Sequence, residues 1–171
     1  MTAIRTFTFA ASAAALFASS FFVAPATATP GSGFVPSPIV NGHFGTIHIA
    51  PSAGKVDKWG LVLKTLADTD VGADRLTIQP GGFSGWHDHP GAVFITVTQG
   101  SITDYDGTDP LCASHTYATG ESFIDEPFRT HNVVNASNSA GAEFIAIVIK
   151  PVGFVGLAFR LDRPKPTNCP F

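Results

Sequence analysis

Charge is scarce in this sequence: 13% of its 171 residues are Asp, Glu, Lys or Arg, ten basic against thirteen acidic. No block of like charge occurs. The slight acidic excess argues against nucleic acid or an anionic membrane surface as partner. Thiols are scarce too, with Cys112 and Cys169 the two cysteines. Neither stands in a C-x-x-C or zinc-ribbon spacing, which removes support for a redox motif or a structural zinc knuckle. A G-x-S-x-G nucleophile elbow is missing, and so is a phosphate-cradling glycine loop ahead of a helix. Nucleophilic catalysis and nucleotide use therefore lack support. No carboxylate pair suited to glycoside hydrolysis can be assigned. Sustained 3.6-residue apolar periodicity is absent after residue 29, so helices are expected to be minor.

What is present begins with an unusual start. Arg5 precedes an uncharged run from Phe7 to Ala24, rich in Ala, Phe and Ser. Ala24-Pro25-Ala26 and Ala26-Thr27-Ala28 then offer the A-x-A spacing of a signal-peptidase site. Residues 1–28 are read as a secretory signal peptide, and the protein as secreted into the extracellular space. An uncleaved anchor is the alternative, but the Ser, Thr and Ala content makes the run weakly apolar for a bilayer span. Cleavage leaves no membrane association. In an oxidising compartment the even pair Cys112 and Cys169 favours a disulfide, two free thiols being the alternative. Such a bridge would contribute ~4 kcal/mol by the chain-entropy relation.

Residues 29–42, "TPGSGFVPSPIVNG", read as a flexible, extended leader. Residues 43–171 read as one domain, ending in an irregular strap, "RLDRPKPTNCPF", held by Cys169. Within it, short segments rich in β-branched and aromatic residues alternate with turn signals such as "PGGFSG", "DGTDP" and "NASNSAGA". Strands are expected near Thr46–Ala50, Trp59–Ala67, Arg75–Ile78, Val93–Gln99, Ser101–Tyr105, His115–Ala118, Ser122–Ile124, His131–Asn135 and Glu143–Pro151. That pattern implies an all-β sandwich or barrel. Strand side chains alternate sides, so His87 and His89 share one face and Trp86 and Asp88 the other. By the same rule Val93, Ile95 and Val97 share a face, with Phe94, Thr96 and Thr98 opposite.

The run from Gly81 to Gly100 reads G-x5-H-x-H-x3-V-x6-G and resembles the first motif of the cupin superfamily, G-x5-H-x-H-x3,4-E-x6-G. "GESFIDEPFRTHNVVN" resembles the second motif, G-x5-P-x-G-x2-H-x3-N. Gly120, Pro127, His131 and Asn135 match it, with one extra residue before the proline, one fewer after it, and Arg129 in place of glycine. The resemblance covers about Leu61 to Val152 and implies a single-domain cupin β-barrel, or jelly roll. It also implies a ligand set of His87, His89, position 93 and His131. Position 93 is valine, which cannot bind a metal.

Three readings follow. His87, His89 and His131 can form a three-imidazole facial set, the preferred one. An acid from elsewhere can replace the missing glutamate, with Glu121, Asp125, Glu126 and Glu143 as candidates. Or the metal has been lost and the histidines line a binding cavity. Imidazole donors suit one divalent transition metal, Zn, Cu, Mn, Fe or Ni, over Mg or Ca. The implied activity is a metal-dependent dioxygenase or other oxidoreductase acting on a small chelating organic molecule. A noncatalytic cupin that binds a small ligand or metal is the alternative. By analogy with cupins a homodimer is implied. His43, His48 and His115 read as surface or hydrogen-bonded groups. Asn135-Ala136-Ser137 has the form of a glycosylation sequon, but Asn135 belongs to the second motif and reads as structural.

Overall fold

The computed structural model describes residues 28–50, 59–154 and 159–170. The signal-peptide reading for residues 1–28 lies outside these, save Ala28, which forms an antiparallel bridge with Pro164. Among the described residues there is no α-helix. The chain runs through β1 (Ser32–Phe44), β2 (His48–Ile49), β3 (Leu63–Lys64), β4 (Thr69–Phe83), β5 (His87–Asp88) and β6 (Val93–Gln99). It continues through β7 (Ser101–Asp106), β8 (Ser114–Ala118), β9 (Ser122–Asp125), β10 (His131–Val134), β11 (Ala142–Pro151) and β12 (Leu161–Asp162). Ten of these build one nearly closed, antiparallel sheet in the order β12-β5-β10-β4-β11-β6-β9, with β1 added on β4, and β7 linking β10 to β8. The all-β barrel expected from the turn spacing is what the chain forms.

Period-2 alternation sets the interior. On β6, Val93, Ile95 and Val97 are buried while Phe94 is exposed. β11 faces them with Phe144, Ala146 and Val148, and β4 with Leu76 and Ile78, all within one apolar cluster. A core of this kind is driven by removing apolar surface from water, about 25 cal/mol per Å². β4 continues the same phase inward at Asp74, which is 1% exposed. A carboxylate on an apolar wall is a local conflict, and conflicts of this kind concentrate where function is.

The leader reading of residues 29–42 needs correction. Ser32–Phe44 is a strand, paired along almost its whole length with β4. Pro36 and Pro38 obscured it in the sequence. Proline cannot donate to a ladder, but β1 pairs on one side only, the place where prolines are tolerated in a sheet. The strand also brings Phe34 against Phe144, ring centroids 6.5 Å apart. The expected strands at 46–50 and 59–67 shrink to the two-residue β2 and β3, which pair with each other in a separate small sheet. The expected strap is partly regular, since Leu161 and Asp162 pair with Asp88 and His87.

Two glycines bracket the histidine-bearing turn for steric reasons. A side chain at Gly91 would run into the Ile149 carbonyl, and one at Gly85 into the Thr29 carbonyl. Gly85 also has φ of 76°, which only glycine adopts without strain. Cys112 and Cys169 form a disulfide across 57 positions of sequence. Trp86, fully buried, packs against it. The strap is held a second time by Arg163, whose Nε and Nη2 donate to the two oxygens of buried Asp88.

Candidate metal centre

His87 is the Cα partner of His131 across the β5–β10 ladder, so both side chains project to the same side. His89 follows His87 by two residues and joins them. One donor atom from each ring lies within 4.8 Å of the others, and the Nε2 atoms of His87 and His131 are 3.0 Å apart. All three are buried, at 3%, 5% and 1% exposure for His87, His89 and His131. The residues paired by the first and second motifs therefore do converge. Trp86 and Asp88 point the opposite way, as alternation requires.

The outer ring nitrogens fix what the inner ones can do. His87 Nδ1–H donates to the Gly85 carbonyl at 2.9 Å, and His89 Nδ1–H to the Phe159 carbonyl at 3.0 Å. His131 Nδ1–H donates to Asp104 Oδ1 at 2.8 Å. A neutral imidazole that donates through Nδ1 carries a lone pair on Nε2. Three lone pairs thus face one point, oriented by oxygen acceptors behind them, which is how metal-binding histidines are held. Burial, reinforced by the neighbouring His131, pushes His87 well below the usual imidazole range. The same causes push His89 down to about 3. Both rings are neutral at physiological pH and free to bind a cation.

Behind His131 stands a charge network. Arg129 Nη2 donates to Asp104 Oδ2 at 2.6 Å and Arg129 Nε to Asp125 Oδ1 at 2.9 Å. Burial alone would raise the Asp104 carboxyl, but the hydrogen bond from His131, with the hydrogen bond and charge of Arg129, brings it below its ordinary value. Asp104 therefore stays anionic behind the ring. For Asp125 burial wins over His131 and Arg129, and its carboxyl is pushed up. Of the four acids considered from the sequence, Asp125 is the one at the centre, its Oδ2 3.2 Å from His131 Nε2. Glu121 caps the β8–β9 turn through the Ala118 amide, and Glu143 pairs with Thr98 and Arg75.

The cavity beside the rings is ≈ 20 Å³, room for about one water. Its polar lining is His87, His89, His131, Ser84 and Asp74, and its apolar lining includes Phe34, Val93 and Phe144. Asp74 Oδ1 has no hydrogen-bond partner, and burial raises its carboxyl above the ordinary value against the pull of Lys150. Outside, a cleft of ≈ 440 Å³ is lined by Pro30, Gly31, Pro36, Arg160 and Asp162, and shares Phe34 and Ser84 with the inner cavity.

A family model described as the cupin domain matches residues 74–148, the span that contains both histidine motifs and strands β5 to β10. Over residues 74–148 this chain resembles the cupin superfamily. The solved structures it is similar to are distant. A cupin domain from Bordetella pertussis shares 20% identity over 63% of this chain and 95% of that one, with a TM-score of 0.41. An RmlC-like cupin from Shewanella frigidimarina shares 17% over 48% of this chain and 68% of that one, TM-score 0.41. A conserved protein of unknown function from Streptococcus pyogenes shares 17% over 47% of this chain, TM-score 0.41, and the chain spans 65% of its length. No curated protein matches the sequence.

The other sequence candidates are ordinary. His43 is exposed and bonds Asp70, His48 lies on exposed β2, and His115 rests on Tyr117. Asn135 is buried at 1% exposure. Its Nδ2 donates to the carbonyls of Ile78, Gln79 and Ala140, and its Oδ1 accepts from the Ser137 amide. That makes it a strut, not a glycosylation site. Sequence reasoning missed Asp74, Asp104 and Arg129. Asp74 was within reach, since Leu76 and Ile78 set a period-2 phase that points residue 74 inward.

Proposed function

We propose that this cupin is exported, holds one divalent transition metal ion on His87, His89 and His131, and oxidises a small chelating organic acid or dione. The observation that carries the enzymatic form is Asp74. A noncatalytic binder needs only an apolar cavity, whereas here a buried carboxylate with an unpartnered oxygen lines the same cavity as the three rings. A bound ion would supply Lewis acidity and positions for two substrate oxygens. Asp74 Oδ1 is the group that takes the proton of an acidic hydroxyl or carbon acid, the task of a general base whose carboxyl is tuned upward by burial.

The one-water size of the inner cavity admits only the chelating end of a substrate. The remainder extends past Phe34 and Ser84 into the outer cleft, where the Arg160 guanidinium faces an anionic group. Arg160 is positioned by Asp162 Oδ1 at 2.6 Å and the Ser84 carbonyl at 2.5 Å. The disulfide fits an oxidising, extracellular setting, which supports the export reading.

The same small volume favours a second reading, an extracellular metal-binding cupin with no turnover. The two separate in one experiment. Metal analysis of the purified protein is followed by oxygen uptake against a panel of small keto acids, hydroxy acids and diones. Uptake that Asp74→Asn abolishes at unchanged metal content supports the enzyme. Stoichiometric metal with no uptake on any of them supports the binder.

A further inference from the structure

Three imidazoles do not exhaust the donors at the centre. Asp125 is completely buried, 0% exposed, and its two oxygens differ. Oδ1 accepts from Arg129 Nε at 2.9 Å and lies 2.8 Å from Arg129 Nη2. Oδ2 has no hydrogen-bond partner, yet it stands 3.2 Å from His131 Nε2 and 3.5 Å from His89 Nε2. In the tautomer fixed by their Nδ1 bonds those nitrogens present lone pairs. A buried carboxylate oxygen facing lone pairs, without solvent, is unfavourable unless a proton or a metal cation lies between them.

Three of the spacings suit that cation. Donors held ~2.1 Å from one ion are ~3.0 Å apart at right angles and ~3.4 Å apart at tetrahedral angles. The distances here, 3.0 Å between His87 and His131, then 3.2 and 3.5 Å to Asp125, span that range. The ladder explains how the carboxylate arrives. Asp125 on β9 is the Cα partner of Val93 on β6, and partners in an antiparallel pair project to the same side, ~4.5–5.5 Å apart.

We propose that Asp125 Oδ2 is the fourth protein donor of the metal centre, a carboxylate supplied from β9 in place of the glutamate that valine replaces on β6, with Arg129 clamping its other oxygen. The assignment rests on the three-histidine reading above and adds an anionic donor to it. The two departures from the cupin motifs, Val93 for glutamate and Arg129 for glycine, become one arrangement. The acid has crossed a single ladder, and the arginine holds it there. An oxygen donor beside three nitrogens also shifts preference toward Mn²⁺ and Fe²⁺ relative to a purely imidazole site.

The test is calorimetric titration of the metal-stripped full chain with Mn²⁺ and with Zn²⁺, alongside the Co²⁺ visible spectrum. Asp125→Asn keeps an oxygen for Arg129 and removes the anionic donor. It is expected to lose Mn²⁺ affinity tenfold or more, at a melting temperature within a few degrees of the parent, and to change the Co²⁺ bands. Adding Val93→Glu to that variant should recover most of the loss, because it returns the acid to β6. Unchanged Mn²⁺ affinity and Co²⁺ spectrum in Asp125→Asn would overturn the assignment and leave Asp125 as an ion-pair partner only. If the parent binds neither ion, the three-histidine reading itself falls. A readout free of any variant is the infrared difference spectrum on adding Mn²⁺: a shifted carboxylate stretch supports the assignment, and no carboxylate change overturns it.

Discussion

His131 Nδ1 donates to Asp104 Oδ1 at 2.8 Å while its Nε2 points at His87 Nε2, 3.0 Å away. One ring therefore connects the charge network of Asp104, Arg129 and Asp125 to the point where the histidines meet. The centre depends on β10 for the ring, β7 for its acceptor, and β5 with the residue that follows it for the two other imidazoles. Nothing local in the sequence joins those strands. The barrel does.

Replacing His131 with alanine removes one of the three imidazole ligands and leaves Asp104 still paired with Arg129. Metal content of the purified variant is expected to fall by about tenfold or more, measured by plasma emission against protein concentration. Unchanged stoichiometry would exclude the assignment.

Asp104→Asn leaves all three rings in place but weakens the acceptor behind His131. Outer partners of metal-bound histidines typically matter by about 10–100-fold in affinity. A loss in that range is expected in metal titrations, with the barrel still folded by circular dichroism. A loss confined to thermal stability, at full affinity, would make Asp104 a structural residue only.

Asp74→Asn tests the buried acid from the side of stability. The folded-state carboxyl lies above its unfolded value of about 3.9. Stability that depends on its protonation is therefore present at low pH and lost as pH rises through the folded value. At neutral pH the charged form is a cost, so the amide should raise stability by ~1 kcal/mol or more. The gain should vanish near pH ~4. Thermal melts of both proteins across this pH range provide the check; equal stability at all pH values would contradict it.

How much of this was legible in the sequence follows from the range of the contacts. The short strands, the inward phase of Val93, Ile95 and Val97, and the facing of His87 with His89 are period-2 features that a local reading captures. The convergence of His131 came from motif resemblance, and the β5–β10 register supplies its physical cause. β1 was hidden because Pro36 and Pro38 look like loop residues until an edge position excuses them. Arg129 and Asp104 are 25 residues apart in the chain, and only the sheet brings them together. Asp125 was one of four acids in view, and the β6–β9 ladder singles it out.

Replacing Cys112 and Cys169 together with serine should cost ~4 kcal/mol, read from denaturant melts with and without reductant. The consequence should reach the centre as well. The strap that the disulfide holds pairs with β5 and directly follows Phe159, whose carbonyl accepts from His89. Metal affinity is expected to weaken in the double variant. Full affinity after loss of the bridge would show that the strap does not support the histidines.

The most direct measurement is anomalous scattering from crystals of the purified, metal-loaded protein, collected at the absorption edge of whichever metal it carries. The account predicts one strong peak per chain, ~2.0–2.3 Å from Nε2 of His87, His89 and His131 together. A peak elsewhere, or three ordered imidazoles with no peak between them in protein shown to carry metal, would contradict it.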